Sequence, residues 1–282
     1  MSLTIQSHGR VGAEVLGVDL SQPLNEAQFA EIRSAFAEHG VIFFRDQSIS
    51  EQDHIAFARR WGQININRFF TPHAAYPEIA MVVKEKHHRD NIGGGWHTDH
   101  SYDAEPALGS ILVARELPPT GGATAFASMY KAYDGLPQRL RDQLEGRNAV
   151  HSARHVFGSK AYPAESGQDT RGERIGNSAA ADVLDDVVHP VILTHPLSGK
   201  KAIYVNPGFT LHIQGIDAER SKELLAEVYE HVTSEDFIED FHWRDGSIAF
   251  WDNRATWHYA YNDYAGHRRE MHRITIEGEA LG

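Results

Sequence analysis

Two histidines and an aspartate offer the clearest chemistry in this sequence. His97 and Asp99 are separated by one residue, and His258 lies at the predicted end of a strand in the distant segment 251–258. On a β-strand, residues i and i+2 face the same side, so we expect His97 and Asp99 to face one cavity. A His-x-carboxylate pair combined with a distant histidine binds Fe(II) on one face and leaves further coordination positions open. The pattern predicts a ferrous centre with room for other ligands.

Two arginines follow at a spacing that such a centre could use. Ferrous oxygenases with this ligand set bind 2-oxoglutarate in two open metal positions, so the far carboxylate of that molecule must be held elsewhere. Arg269 comes eleven residues after His258, where the next antiparallel strand could return beside it. A guanidinium matches a carboxylate with two hydrogen bonds and stays charged. Arg273 follows four residues later, so on one strand both arginines face the same side.

Other interpretations use the same residue types. His88 and Asp90 repeat the His-x-Asp spacing in a polar stretch, but the sequence lacks the asparagine and the glycine-rich loop of a kinase, so we reject that interpretation. Two histidines and an aspartate could also bind zinc in a hydrolase, which would act without 2-oxoglutarate. A non-catalytic jelly-roll binding protein is a third alternative, although it would not need a complete set of metal ligands.

Composition limits the remaining classes. The 282 residues include no cysteine and carry a formal net charge of −12. Without cysteine there are no disulfides or thiolate ligands, so a transition-metal site must use the 18 histidines with carboxylates. The acidic balance argues against nucleic-acid binding, which needs a basic face. No apolar run reaches the ~18 residues of a membrane span, and the first residues do not resemble a signal peptide, so we expect a cytoplasmic protein.

Short strands with flanking helices must position these residues. Asn25 and Ser50 each begin a helical pattern with a capping box, and Gly40 and Gly62 are expected to end the two helices. Val41–Phe44 is predicted to be a buried strand between them. Further helices are expected around 136–144 and 224–232. Further strands are expected at residues 79–83, 110–114, 124–127, 191–194, 202–205, 247–251 and 271–276.

The alternation of short strands with turns indicates a barrel or a jelly roll. We predict one domain over residues 1–282, mainly β with flanking helices. Residues 158–186 are polar, rich in turn-forming residues and poor in core residues. We therefore predict that 158–186 is an excursion that closes over the substrate as a lid.

Six segments carry a resemblance to a known family: residues 12–20, 96–99, 116–124, 195–200, 251–254 and 268–273. In this order they resemble the taurine dioxygenase / 2,4-dichlorophenoxyacetate dioxygenase (TauD/TfdA) family of Fe(II)- and 2-oxoglutarate-dependent oxygenases, over nearly the whole chain. The resemblance implies a distorted double-stranded β-helix, which is a jelly roll. It implies a hydroxylation that uses O2 and converts 2-oxoglutarate to succinate. It also implies a homo-oligomer, either a dimer or a tetramer.

The resemblance also implies site residues. It implies that His97, Asp99 and His258 are the iron ligands, and that Thr124 and Arg269 bind the remote carboxylate of 2-oxoglutarate. No catalytic residue beyond the metal ligands is implied. Substrate contacts are expected from Arg273, Phe157, Phe209 and His100.

Departures from the family pattern bear on the substrate. The taurine enzymes have a histidine in the segment occupied here by Asn67 and Arg68, and an asparagine where this chain has Gly93. Hydrogen bonds to taurine are thereby lost, and three consecutive glycines, 93–95, predict a roomier rim. We expect a larger organic anion, a sulfonate or sulfate ester, to be hydroxylated next to its heteroatom. A phenoxyalkanoate is the alternative substrate, and a zinc-dependent hydrolase is the alternative of another class.

Overall fold

Short strands joined by turns make up most of the chain in the computed structural model, which describes residues 3–161, 175 and 178–281. Within these residues the strands are β1 (Thr4–Ser7), β2 (Ala13–Leu16), β3 (Val41–Phe44), β4 (Ile64–Asn65), β5 (Ala80–Lys84), β6 (Gly109–Glu116), β7 (Thr124–Ser128), β8 (Asn148–His151), β9 (Val187–Pro190), β10 (Ile192–Thr194), β11 (Lys201–Ile203), β12 (Thr210–Ile213), β13 (Ile238–Phe241), β14 (Ile248–Asp252), β15 (Thr256–Ala260) and β16 (Arg269–Ile276). The helices are α1 (Glu26–His39), α2 (Glu51–Arg59), α3 (Met129–Asp134), α4 (Gln138–Leu144), α5 (Arg154–Phe157), α6 (Ser178–Asp182) and α7 (Ala218–Val232). The protein is mainly β with flanking helices, as the sequence predicts.

Two sheets pack against each other through an aromatic layer. The larger sheet has the strand order β1-β2-β3-β14-β6-β16-β4, with β5 also paired to β16, and the smaller has the order β13-β7-β15. The ring of Phe43 in β3 stacks on that of Phe241 in β13, with centroids 4.2 Å apart. Phe126 of β7 contacts Trp251 of β14 at 5.7 Å. Removal of this apolar surface from water holds the two sheets together.

Helix α1 covers the outer face of the larger sheet. Its N-terminus has the predicted capping box, in which the Asn25 side chain accepts from the backbone N–H of Gln28. Gly40 ends the helix with a φ of 73°, a left-handed conformation that glycine adopts without steric cost. Phe36 stacks on Phe250 of β14 at 4.3 Å, which fixes the helix against the sheet.

A second apolar core lies around α3, α4 and α7. Helix α7 contributes one face, as its periodicity predicts: Leu224, Leu225, Val228 and Val232 are all buried. These side chains pack with those of α3, α4, β8 and the two-stranded sheet β10-β11. Strands β12, β8 and β9 form a further three-stranded sheet beside this core. The predicted helix at 136–144 is present as α4, and α3 precedes it in a segment for which no helix was predicted.

Most of the predicted excursion at 158–186 lies outside the described residues, so the lid remains a prediction. In the described part, the Ser159 amide donates to the Asp182 carboxylate at 3.0 Å. Ile175 forms an isolated bridge with Phe70. In the described ranges, no helix combines the length and the apolar character that a membrane crossing requires.

Helix α2 buries a histidine beneath the larger sheet. The helix begins with the predicted capping box at Ser50 and ends at Arg59, three residues before the glycine expected to end it. His54, on its inner side, is fully buried. Burial lowers the pKa of His54 to about 3, and the nearby Arg115 and His272 add to this effect. The imidazole is therefore neutral in the folded protein at neutral pH.

This burial predicts a pH-dependent loss of stability. An unfolded histidine has a pKa of about 6.5, so the unfolded chain binds a proton at His54 as the pH falls, whereas the folded protein does not until about pH 3. Between pH 7 and pH 5, His54 alone should lower the free energy of unfolding by about 2 kcal/mol. In His54→Leu the fall measured by urea denaturation should be smaller by that amount.

The matched control is Ile32→Val in the same core. Neither side chain titrates, so this substitution should cost about 1 kcal/mol equally at pH 7 and pH 5. An unchanged pH dependence in His54→Leu would contradict the prediction.

Candidate active site

The two candidate histidine ligands face each other across an isolated β-bridge. The His97 backbone N–H donates to the His258 carbonyl at 3.2 Å, and the His258 N–H donates to the His97 carbonyl at 2.9 Å. Their rings lie 4.1 Å apart. His258 is the third residue of β15, not the end of a strand as expected, and it is held by pairing of β15 with β7.

Asp99 reaches the same point from a turn. We expected His97 and Asp99 on one strand, and this is wrong: His97 forms an isolated bridge, and Asp99 lies in a turn with His100. His100 has a φ of 59°, a left-handed conformation that interrupts an extended strand. The Thr98 hydroxyl donates to the Asn253 carbonyl at 2.5 Å and holds the turn in place. The two side chains converge because of this turn and not because of strand alternation.

The ligand atoms of His97, Asp99 and His258 all lie within 4.8 Å of one another, and in the described residues they are the group that could hold a metal ion. His97 Nε2 is 3.6 Å from Asp99 Oδ1, and His258 Nε2 is 4.0 Å from Asp99 Oδ2. His97 Nδ1 lies 2.7 Å from the Gly95 carbonyl, which can only accept, so Nδ1 donates this bond and leaves Nε2 as the ring nitrogen that belongs to the cluster. Two imidazoles and one carboxylate form a ligand set suited to Fe(II).

The electrostatics of the cluster set the protonation states that a metal requires. Burial alone would raise the pKa of Asp99, but the Arg273 guanidinium and both histidines lower that pKa well below its ordinary value. Arg273 Nη1 lies 3.2 Å and 3.3 Å from the two Asp99 oxygens, and the Ser110 hydroxyl donates to Asp99 at 3.0 Å. Burial, with His97 nearby, lowers the pKa of His258 well below its ordinary value. The carboxylate is thus ionised and His258 neutral at pH 7.

The turn between β14 and β15 positions His258 through a buried ion pair. Asp252 accepts from Arg254 Nε at 2.9 Å and from Nη2 at 2.8 Å, and it lies 2.9 Å from His195 Nε2. All three side chains are buried. Burial would raise the pKa of Asp252, but Arg254 and His195 lower it. Residues 195–200 and 251–254 are two of the segments that carry the family resemblance. They contact each other here and stabilise the turn before β15, which carries His258.

Arg269 approaches the site from the opposite sheet. We expected its strand to return beside His258, and this is wrong: β16 pairs with β5 and β6 in the larger sheet, whereas β15 belongs to the smaller. The Arg269 side chain is buried, and its Nε and Nη2 have no hydrogen-bond partner. A buried guanidinium with open donors is costly unless an acceptor enters. Thr124, the first residue of β7, lines the same cavity.

Arg268 does not share this position. Its guanidinium forms ion pairs with Glu85 at 3.0 Å, with Glu270 at 2.5 Å and with Glu116. It is not among the residues that line the cavity. The positive charge in the site therefore comes from Arg269 and Arg273 and not from Arg268.

A cavity of about 560 Å³ contains the cluster and both inward arginines. One wall is aromatic: Tyr102 contacts Phe209 at 4.7 Å, and Phe157 is stacked at 4.4 Å on Phe69, which does not itself line the cavity. Phe157 and Phe209 line the cavity, as the resemblance implies. Further lining residues that were not predicted include Phe70, Val82, Tyr102, Leu112, Val156 and Ile175. Apolar residues in short strands and turns are typical of a core, so their types and spacing do not distinguish cavity residues from core residues.

His100 is not among the residues that line this cavity, although we expected it to contact the substrate. Its Nδ1 lies 2.8 Å from the Asp103 carboxylate, which also accepts from Arg68 at 2.7 Å. The Asp103 carbonyl lies 2.9 Å from His189 Nε2. His100 therefore links the turn after Asp99 to the segment that carries Phe69 and Phe70.

Comparisons with known proteins agree with this geometry. A model described as "Taurine catabolism dioxygenase TauD, TfdA family" matches residues 4–275. An alpha-ketoglutarate-dependent sulfate ester dioxygenase of Pseudomonas putida is 32% identical, over 96% of this chain and 88% of its own. An alpha-ketoglutarate-dependent 2,4-dichlorophenoxyacetate dioxygenase of Cupriavidus pinatubonensis is 30% identical over 97% of both chains. The crystal structure of a taurine dioxygenase from Burkholderia xenovorans superposes with a TM-score of 0.81 at 30% identity, covering 100% of this chain and 93% of that one.

The buried ion pair at the β14–β15 turn predicts a large loss of stability when it is broken. Asp252→Asn leaves the buried Arg254 without its counter-charge, and such a loss costs about 3–5 kcal/mol. Chemical denaturation at pH 7 should show this fall. The matched control is Asp46→Asn, which breaks the exposed Arg244 pair and should cost less than about 1 kcal/mol. Equal losses in the two variants would contradict the role of the Asp252–Arg254 ion pair in stabilising the turn.

Proposed function

Since this chain belongs to the TauD/TfdA family, we propose that it hydroxylates a small organic anion with an apolar body, a sulfonate or a sulfate ester, next to its heteroatom. The chain is a 2-oxoglutarate-dependent dioxygenase, and its family uses Fe(II), 2-oxoglutarate and O2. The zinc-hydrolase and binding-protein alternatives are therefore set aside. The observation that carries the substrate class is the buried Arg273 guanidinium beneath an aromatic wall.

The proposed architecture is a distorted double-stranded β-helix. In such a jelly roll two sheets enclose the site between them. The larger sheet and the β13-β7-β15 sheet pack in this way. The cavity borders the apolar layer between them, because Leu112 and Trp251 belong to that layer and also line the cavity. This arrangement lets each sheet contribute different groups to one site.

His97, Asp99 and His258 are the proposed ligands of Fe(II). The geometry fits, because the three ligand atoms cluster within 4.8 Å and the pKa of Asp99 and that of His258 are both lowered. When bound, the metal supplies the oxidising chemistry, in which O2 and 2-oxoglutarate yield CO2, succinate and one oxygen atom for a substrate C–H bond. The chain's own part is to exclude water and to orient the two organic molecules.

Arg269 and Thr124 are the proposed partners of the remote carboxylate of 2-oxoglutarate. The open Nε and Nη2 donors of Arg269 are buried, and an entering carboxylate would satisfy both with charge-assisted hydrogen bonds. Thr124 offers a hydroxyl from the facing sheet. Two donors from two sheets define one orientation of the cosubstrate.

Arg273 is the proposed anchor of the substrate's acidic group. Its guanidinium is fixed on one side by Asp99 and on its face by Phe70, whose ring centroid lies 4.5 Å from Cζ. Its Nε is buried without a hydrogen-bond partner. An anion bound there would lie beside the metal cluster, with its apolar body against Phe157 and Phe209. The first C–H bond beyond the anion is then the one placed for oxidation.

A phenoxyalkanoate is the second candidate substrate. The rings of Tyr102, Phe157 and Phe209 line the cavity and form a wall that suits an aromatic body, and Phe69 stacks on Phe157. The relatives act on sulfate esters and on 2,4-dichlorophenoxyacetate by name, which keeps both classes open. Hydroxylation next to the heteroatom gives an unstable product that releases sulfite, sulfate or a phenol, so the released group distinguishes the classes.

The metal assignment predicts the loss of a spectroscopic signal. Under anaerobic conditions, the wild-type protein with Fe(II) and 2-oxoglutarate should show a weak visible charge-transfer band. His97→Ala, Asp99→Ala and His258→Ala should each abolish it, because each removes one of three ligands. Asp90→Asn changes the His88-x-Asp90 repeat of the same spacing and should keep the band. A wild-type band in His97→Ala would rule out the assignment.

The two inward arginines should affect different molecules. A charge-assisted hydrogen bond contributes about 1.5–3 kcal/mol, so its loss weakens binding by roughly 10- to 150-fold. Arg269→Ala should raise the dissociation constant of 2-oxoglutarate by that factor. Arg273→Ala should raise the KM of the organic anion, with anaerobic 2-oxoglutarate binding nearly unchanged. Succinate formation across sulfonates, sulfate esters and phenoxyacids identifies the anion to use.

Arg268→Ala is the matched control, because its guanidinium lies outside the cavity. It should leave both constants near the wild-type values. If Arg273→Ala weakened both molecules equally, or if none of the three anion classes stimulated succinate formation, the proposed substrate class would fail.

A further inference from the structure

Trp243 lies directly behind the groups proposed to bind the cosubstrate. It follows β13 by two residues, and the last residue of β13, Phe241, pairs with Thr124 in β7. The Trp243 ring meets that of Phe241 edge-on at 4.8 Å, and Phe241 in turn stacks on Phe43. The indole is thereby fixed to the layer between the two sheets. It does not line the cavity itself.

The indole N–H determines which way the Thr124 hydroxyl can point. Trp243 Nε1 donates to Thr124 Oγ1 at 3.0 Å. An indole N–H can only donate, so the threonine oxygen must accept this bond. The hydroxyl hydrogen is then available to an acceptor in the cavity that Thr124 lines. A carboxylate is an acceptor and nothing else, so the hydroxyl is prepared for that kind of ligand.

The indole ring also contacts the second group of the site. The Arg269 Cζ lies 5.7 Å from the Trp243 ring centroid, within the range of a cation–π interaction. A cation–π contact occupies no N–H donor of the guanidinium. Two of these donors, Nε and Nη2, are buried without a partner. One side chain therefore contacts both Thr124 and Arg269, two residues that line the same cavity.

We propose that Trp243 is a positioning residue for the remote carboxylate of 2-oxoglutarate, acting through the Thr124 hydroxyl and the Arg269 guanidinium. This inference rests on the proposed function, in which Thr124 and Arg269 bind that carboxylate. It adds a third residue, from the segment that follows β13, that touches neither the metal ligands nor the proposed anion anchor. The indole has two separate effects: its N–H orients the Thr124 hydroxyl, and its ring contacts the Arg269 guanidinium.

The test measures cosubstrate binding without turnover. N-oxalylglycine, a 2-oxoglutarate analogue in which an NH replaces a CH2 group, is titrated into the Mn(II)-loaded protein by calorimetry. Trp243→Phe keeps a ring over Arg269 and removes the N–H. It should weaken analogue binding about 3- to 10-fold, the size expected for one neutral hydrogen bond. Mn(II) affinity should stay unchanged, because the indole does not contact the metal cluster.

A double-mutant cycle separates positioning from packing. Thr124→Val removes the hydroxyl, so the N–H of Trp243 has nothing left to orient. Adding Trp243→Phe to Thr124→Val should then cause no further loss of affinity, and Thr124→Ser should retain most of it. Trp61→Phe is the matched control: this partly buried tryptophan packs on the outer face of the larger sheet, and its replacement should leave analogue binding unchanged.

The outcomes distinguish the two levels of the proposal. Wild-type affinity in Trp243→Phe, or independent and additive losses in the cycle, would overturn the inference and leave the proposed function in place. Failure of the wild-type protein to bind N-oxalylglycine in the presence of Mn(II) would overturn the proposed function and the inference with it. Coupled losses confined to Trp243 and Thr124 would support the inference.

Discussion

The ionised carboxylate of Asp99, buried between two sheets, is the constraint on which the rest of the site depends. A buried charge is tolerated only with close counter-charges and hydrogen bonds. Arg273 and Ser110 supply these from the larger sheet, and the two imidazoles approach from the other side. With the proposed ligands, the positive charges of Fe(II), Arg269 and Arg273 equal in number the negative charges of Asp99, 2-oxoglutarate and a monoanionic substrate. With a neutral substrate the site would carry a net excess of one buried positive charge.

The two sheets contribute different groups to the site. The smaller sheet supplies His258 and Thr124, and the larger supplies Ser110, Arg269 and Arg273. The register of each strand therefore matters, because a shift by one residue would turn every side chain to the opposite face. A bulge interrupts the pairing of β6 with β16, but β16 remains in regular register with β5 along the stretch that carries both arginines. The alternation that directs the two guanidinium groups inward is thereby preserved.

Local sequence patterns predicted the elements well and their mutual placement less well. The capping boxes at Asn25 and Ser50 and the shared face of Arg269 and Arg273 depend on neighbours a few residues away, and the structure has them as predicted. Pairing between distant strands is not encoded in such spacing, so Arg269 was expected beside β15 when it lies across from it. The turn at Asp99 was missed for a related reason: the left-handed residue that forms it is a histidine and not a glycine. Trp243 resembled a core aromatic, and only the fold brings its N–H to Thr124.

The spacing of the two arginines along β16 fixes the distance between their Cα atoms. Four residues of extended strand span about 13 Å, and a paired strand in the middle of a sheet cannot stretch or contract. The distance between the two proposed anion sites is therefore fixed by backbone geometry and not by side-chain choice. The aromatic wall, in contrast, comes largely from turns and the short helix α5, which tolerate substitution and insertion more readily. Substitutions in the wall can therefore change which substrate body the site accepts. The position of the substrate's charged group, and of the C–H bond next to it, is still set by β16.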